Sequence, residues 1–273
     1  MERLMGHQQA KEWLAIAVRA AEAGAAVIRD AAPEVRRLDW RSKGPADFVS
    51  EVDLAAEAAI LAVMAAGIPQ ATVLAEEGSS TVARDIISKG IAIVVDPLDG
   101  TTNFLHGYPE YAVSIGVLFD GEPVAAVVHD VPGAEVFTAT AGGGCQLNGN
   151  PVQVSTISEP SRALIGTGFP FKDVNDITPY HRQMAAVMAH VSGVRRPGAA
   201  SIDLASVASG RFEGFWEMQL APWDFAAGML LVREAGGVAT DMSGAHLQAF
   251  GPSSVLVGNP VMHRWLAEAL ARA

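Results

Sequence analysis

The chain has 273 residues, half of them hydrophobic, with a formal net charge of −11 and a pI of about 5.0. That is enough apolar material for a sizeable core, and the acidic balance excludes a nucleic-acid binder built on clustered Lys and Arg. A single cysteine, Cys145, excludes an internal disulfide and a cysteine-based zinc site.

Met1 to Asp30 lacks a signal-peptide layout, because Arg19 and Glu22 interrupt its apolar part. The longest apolar stretch, Ala58 to Ile68, is too short to span a bilayer. A cytoplasmic protein with no membrane contact is expected. Leu14, Ala17, Val18, Ala21, Ala25 and Ile28 recur at helical spacing and predict a long amphipathic helix ending between Asp30 and Pro33. The polar stretch from Arg36 to Ala46, with Lys43, Gly44 and Pro45, reads as a loop or β-turn. Ser50-Glu51-Val52-Asp53 opens a second helix, with Leu54, Ala58, Leu61 and Ala65 expected on its buried face. Ser50 and Asp53 have capping-box spacing, so Asp53 also has a role in the helix start with no catalytic duty.

Thr72 to Ala75 is a short strand ending at Glu76-Glu77-Gly78, a pair of acids that a solvated loop would also tolerate. The apolar run Ile91-Ala92-Ile93-Val94-Val95 predicts a buried strand. It is expected to stop at a turn made by Asp96-Pro97-Leu98-Asp99-Gly100-Thr101-Thr102. Pro97 fixes φ between the two acids, and Gly100 would let the backbone pass close to a ligand. Two carboxylates at a strand end, followed by Gly-Thr-Thr, point to a divalent metal beside a phosphate. Oxygen ligands suit a hard cation such as Mg²⁺. The dipeptides Asp-Pro and Asp-Gly also make ordinary turns.

Tyr111 to Phe119 and Pro123 to His129 flank Asp120-Gly121, a hairpin signal, and Glu135 to Thr140 extends it into an antiparallel meander. Gly142-Gly143-Gly144 and Asn148-Gly149-Asn150 read as further turns. The triple glycine lacks the Lys-Ser/Thr ending of a phosphate-binding P-loop. Helices are expected over Tyr180 to His190 and Ser201 to Ser209, and a strand over Arg211 to Met218. Pro222 opens another helix, closed by Gly236-Gly237. Val255 to Val257 is a last strand and Pro260 to Ala271 a last helix. There are no repeats and no long linker. The interleaved helices and strands predict a mixed α/β fold of layered sandwich type.

Asp-Pro-Leu-Asp-Gly-Thr-Thr-Asn-Phe at 96–104 resembles the signature of the inositol monophosphatase family of Mg²⁺-dependent, lithium-sensitive phosphomonoesterases. The stretch Ala221 to Gly237 is similar to that family's second signature, and the resemblance covers almost the whole chain. It implies an α-β-α-β-α sandwich in a single phosphatase domain, with a metal-binding half over about 1–150 and a second half over about 151–273. By the same resemblance Glu76, Asp96 and the Leu98 carbonyl hold one metal, and Asp96, Asp99 and Asp224 a second. A third ion would sit on Glu76, with Glu77 a secondary candidate. Asp53 and Thr101 would orient the attacking water, and Glu76, as metal ligand, belongs with them to the catalytic set. The N–H groups of Gly100 and Thr101 would hold phosphate oxygens, with Lys43 close by.

Glu217, seven residues before Asp224, would read sugar hydroxyls, and Gly198, Ala199 and Ala200 would line the same pocket beside Asp99 and Asp224. Ala199 departs from the family by lacking a hydroxyl. His106 is a candidate for the entrance. The implied reaction is hydrolysis of a sugar or polyol phosphomonoester, inositol 1-phosphate first, with histidinol phosphate and fructose 1,6-bisphosphate as alternatives. The family is typically homodimeric. Similar bacterial proteins also serve transcription by binding other proteins.

Overall fold

The computed structural model describes residues 2–37, 40–44, 47–78, 88–169 and 177–273. Helix α1 spans Glu2–Ala31, and Ala17, Ala21, Ala25 and Ile28 are buried along it, as their spacing predicts. Where a loop was expected, β1 (Trp40–Gly44) and β2 (Asp47–Ser50) pair antiparallel. Trp40 meets Phe48 edge-on across this hairpin at 4.8 Å, an aromatic cross-strand pair that favours it. The side chain of Lys43, and Pro45 and Ala46 entirely, lie outside the described residues.

Helix α2 (Glu51–Gly67) starts at Ser50, whose hydroxyl accepts from the Val52 N–H at 3.2 Å. Its buried face is not the expected one. Val52, Ala56, Ile60 and Met64 face the core, while Leu54, Ala58 and Ala65 are exposed and Leu61 is half-buried. The helix is apolar nearly all round, so periodicity alone offers two stripes. Packing against α1 selects the one that includes Ile60.

Strands β3 (Thr72–Ala75) and β4 (Ile91–Asp99) pair in parallel. After the short helix α3 (Thr101–His106) the chain continues as β5 (Ala112–Phe119), β6 (Glu122–Asp130), β7 (Glu135–Thr140), β8 (Gly144–Leu147) and β9 (Asn150–Val152). These complete a seven-stranded sheet in sequential order from β3 to β9. Asp120 and Gly121 have φ of 50° and 83°, the left-handed pair that a tight hairpin requires. The meander is two strands longer than expected, since the Gly- and Asn-rich turns bracket β8 and β9. The N–H groups of Gly142 and Gly144 donate to the Glu234 carboxylate at 2.8 and 2.9 Å. The anion this glycine turn holds is therefore internal.

The second sheet contains β10 (Leu164–Thr167), β11 (Gly193–Arg195), β12 (Gly214–Leu220), β13 (Val238–Thr240) and β14 (Ser253–Gly258), in the order β11-β10-β12-β14-β13. The strand predicted from Arg211 starts at Gly214 and runs on to Leu220. Helices α4 (Thr178–Met188), α5 (Ala200–Ala208), α6 (Pro222–Glu234) and α7 (Pro260–Ala271) complete the chain.

Alternation along the strands builds the layers. Ile93 and Val95 of β4 pack with the buried residues of α1 and α2. Ala92 and Val94 point the other way, into a core shared with α5, α6 and Phe215, Val255 and Val257 of the second sheet. Trp216 and Leu256 face outward from that sheet onto α4 and α7. The order is thus helix, sheet, helix, sheet, helix. A strand buried on both faces reads as an unbroken apolar run, which is how Ile91 to Val95 reads.

Cys145 lies on β8, 3 % exposed, and burial pushes its thiol up to about 12. The folded protein is expected to leave a disulfide reagent unreacted at pH 8 and to titrate one thiol per chain in denaturant. Rapid reaction of the native protein would contradict this packing.

Candidate active site

The site is built at the end of β4. The strand does not stop at a turn after Val95, as expected, but runs through Asp99 with a shift of register against β5 between Asp96 and Asp99. Pro97 falls in this irregularity, where no ladder donor is required. On the other side β3 ends its pairing at Ala75 opposite Val95, and the Glu76 N–H donates to the Val95 carbonyl at 3.2 Å. This carries Glu76 to the level of Asp96. The next turn is held by Glu57, a buried acid of α2 that accepts from the Glu77 N–H at 2.9 Å.

Asp96, Asp99, Asp224 and Asp53 are each fixed by a hydrogen-bond donor. Asp96 accepts from the Leu98 N–H at 3.0 Å. Asp99 accepts from Ser201 twice, from its N–H at 2.7 Å and its hydroxyl at 2.5 Å. Asp224, in the first turn of α6, accepts from the Ala221 N–H at 2.7 Å. Asp53 does two jobs with two oxygens. Oδ2 accepts the Ser50 N–H and hydroxyl at 2.8 and 2.6 Å, and Oδ1 lies 2.9 Å from the Thr101 hydroxyl. Helix capping and the contact to Thr101 therefore coexist in one residue.

Gly100 is required by the packing of its own chain. Its φ is +88°, and a Cβ there would come 2.7 Å from the Glu110 carbonyl. The crowding is against its own chain. The same Cβ would lie 3.3 Å from that of Ala199, which is 1 % exposed. A hydroxyl-bearing side chain at 199 would have to fit within this packing.

Glu76, Asp96, Leu98, Asp99, Gly100, Thr101, Gly198, Ala199, Ala200, Glu217 and Asp224 all line one cavity of about 330 Å³. Asp53 stands behind Thr101 and does not line it. His106 is exposed, packs near Trp40 and is not part of the lining. The sequence reading missed Gly168, Phe169, Arg196 and Asp203, which also line it. A signal existed for Asp203: it is the one charged residue in the helix Ala200–Ala208. Arg196 stands over the Phe169 ring at 5.0 Å.

Burial, and then the charges of Glu76, Asp99 and Asp224, holds the Asp96 carboxyl well above the usual carboxylate range. Burial also raises Asp99, to about 6, against the Ser201 hydrogen bonds that lower it. Asp53 is raised by burial and lowered by Ser50 and Thr101, with a net upward shift. Among the described residues no three His, Cys, Asp or Glu side chains are gathered tightly enough to hold an ion as they stand. The donor set itself, carboxylates with the Leu98 carbonyl, is the oxygen set that hard cations select.

The layered α/β chain thus collects oxygen donors from a strand irregularity, a neighbouring strand end and a helix start into one cavity. Residues 9–273 match the model of the inositol monophosphatase family. A protein of Salmonella typhimurium named Nus factor SuhB is 43% identical over 247 residues, 90% of this chain and 91% of that one. The inositol-1-monophosphatase of Rhizobium meliloti is 43% identical over 251 residues, 92% of each. The crystal structure of extragenic suppressor protein suhB from Bartonella henselae superposes with a TM-score of 0.86 at 39% identity, covering 93% of this chain and 96% of that one. The chain belongs to the inositol monophosphatase family, a family of phosphatases.

The raised Asp96 gives a signed expectation. A carboxyl with a folded-state pKa above its unfolded value contributes stability below the unfolded value and loses it as pH rises through the folded one. Asparagine keeps the Leu98 contact and never ionises. In EDTA at pH 7.5, Asp96→Asn is expected to melt a few degrees above wild type, with the gap closing as pH falls towards 4. Equal melting temperatures at pH 7.5, read by calorimetry, would remove the repulsion from the account.

Proposed function

We propose that the protein hydrolyses the phosphomonoester of a polyol or sugar, inositol 1-phosphate foremost, with water as the phosphoryl acceptor. The observation that carries this reading is the Asp53–Thr101 hydrogen bond at the edge of a cavity lined by Glu76, Asp96, Asp99 and Asp224. Glu76, Asp96 and the Leu98 carbonyl would hold one Mg²⁺, and Asp96, Asp99 and Asp224 another, with a weaker third on Glu76. Bound there, the ions would neutralise phosphoryl and leaving-group charge and acidify a water.

The chain's own residues supply position and proton transfer. Asp53 accepts the Thr101 proton, and the Thr101 oxygen then accepts a hydrogen bond from the attacking water. This fixes the water's direction and gives it a base. Asp53 is itself immobilised by Ser50, so the pair is oriented before substrate arrives. The N–H groups of Gly100 and Thr101 hold phosphate oxygens. Glu217 accepts from a hydroxyl of the polyol. Gly168 leaves room for it, since a Cβ there would come 2.0 Å from the Glu217 carboxylate.

The relative named inositol-1-monophosphatase supports this substrate. Histidinol phosphate and fructose 1,6-bisphosphate are the alternatives within the same chemistry. A second reading, a protein-binding role in transcription, is favoured by the relative named Nus factor SuhB. It does not require the acids. In either role the chain is proposed to work as a homodimer in the cytoplasm.

Phosphate release from inositol 1-phosphate, histidinol phosphate, fructose 1,6-bisphosphate and 3′-phosphoadenosine 5′-phosphate, with and without Mg²⁺, tests the reading. Mg²⁺-dependent release dominated by inositol 1-phosphate is expected. No release from any of them by folded protein would shift the conclusion to the protein-binding role. Asp53→Asn and Thr101→Ala are each expected to lower kcat about 100-fold, and Asp224→Asn to leave almost no turnover. Near-normal kcat in the Asp53 variant would take the pair out of the mechanism.

A further inference from the structure

Asp203 is an acid the mechanism above does not use. It lies in the first turns of α5, is 2 % exposed and lines the cavity. Its Oδ1 is buried with no hydrogen-bond partner among the described residues. A buried carboxyl oxygen without a partner forfeits the hydration it would have in water, and sequences rarely keep one without a reason. Leucine would meet these surroundings at lower cost, because the neighbours Ile202, Leu204 and Ala205 are buried and apolar. The helix is already anchored at this end by Ser201, which bonds Asp99, so Asp203 is not needed to hold it.

Its surroundings define what it could bind. After burial, Glu217 is the charge that acts on it most strongly, followed by Asp99 and Glu110, with Arg196 opposing them. Asp203 and Glu217 line the same cavity, and two acids there disfavour a second anionic group beside them. Burial and the Glu217 charge hold the Asp203 carboxyl well above the usual carboxylate range, which favours the protonated form, whose O–H can donate. A hydroxyl both donates and accepts, and it complements a neutral acid beside a carboxylate.

We propose that Asp203 is a specificity-determining residue of this site, hydrogen-bonding a hydroxyl of the polyol whose other hydroxyl meets Glu217. This rests on the phosphatase reading above. The ligand class is a polyhydroxylated phosphomonoester; an ester whose alcohol lacks further hydroxyls gains nothing from Asp203.

The test compares inositol 1-phosphate with cyclohexyl phosphate, the same ring without hydroxyls, both with Mg²⁺. Asp203→Ala is expected to lower kcat/KM for inositol 1-phosphate about tenfold, mostly through KM, and to leave cyclohexyl phosphate within about twofold of wild type. An equal loss on both substrates would make Asp203 a structural residue, and no loss on either would make it idle. Both results overturn the proposal. Should the alanine variant not fold, as read by its melting curve, the isosteric Asp203→Asn carries the same comparison. It should show a smaller loss confined to inositol 1-phosphate, and an equal loss on both esters overturns the proposal there too. If wild type itself releases no phosphate from either ester, the phosphatase reading fails and the proposal falls with it. That result differs from a variant that loses both activities.

Discussion

The repulsion among carboxylates at the end of β4 is the constraint to which the rest of the site answers. Asp96 is buried within reach of the charges of Glu76, Asp99 and Asp224. Unsupported, such acids would turn towards water or keep their protons. The fold prevents the first by giving Asp96, Asp99 and Asp224 backbone donors: the N–H of Leu98, of Ser201 and of Ala221. These donors come from elements whose positions are set by apolar packing, in a core that joins the two sheets through α5 and α6. Hydrophobic burial thus supplies the free energy that holds like charges together, and a preorganised electrostatic site is the result.

The two first-turn acids illustrate how a structural role can serve a functional one. Asp53 and Asp224 each accept from the backbone N–H of the residue three before it. That contact orients the carboxylate without consuming both oxygens. In Asp53 the second oxygen is at hydrogen-bond distance from Thr101. A capping acid is rigid because its partner is backbone, and rigidity is what a residue that positions another group must have.

Much of this was legible in the sequence. The unbroken apolar run before Asp96 announced a strand buried on both faces, and Pro222 and Gly236 bounded α6 correctly. Asp96, Asp99 and Asp224 stood out because they fall within the two stretches that resemble family signatures. What was not legible depended on partners distant in the chain. The apolar stripes on α2 compete, and only the packing of α1 decides between Ile60 and Leu54. Strands β8 and β9 are short and bracketed by turn residues, so their ladder hydrogen bonds outweigh local propensity. The bulge that prolongs β4 past Pro97 is set by pairing with β5, which local pattern does not encode. Ser201, the donor to Asp99, looked like the start of a helix and nothing more.

The way the site is assembled also has a consequence for folding kinetics. Asp96 and Asp99 belong to one sheet, whereas Asp224 and the Ser201 that restrains Asp99 belong to helices packed between the two sheets. Contacts of such sequence separation form late, after loop closure has been met by apolar docking. The charge of Asp224 is therefore added to those of Glu76, Asp96 and Asp99 only when the layers come together. A penalty that arises after the transition state leaves the folding rate nearly unchanged and hastens unfolding. The protein's lifetime, more than its ability to fold, is the quantity that the Asp224 charge limits.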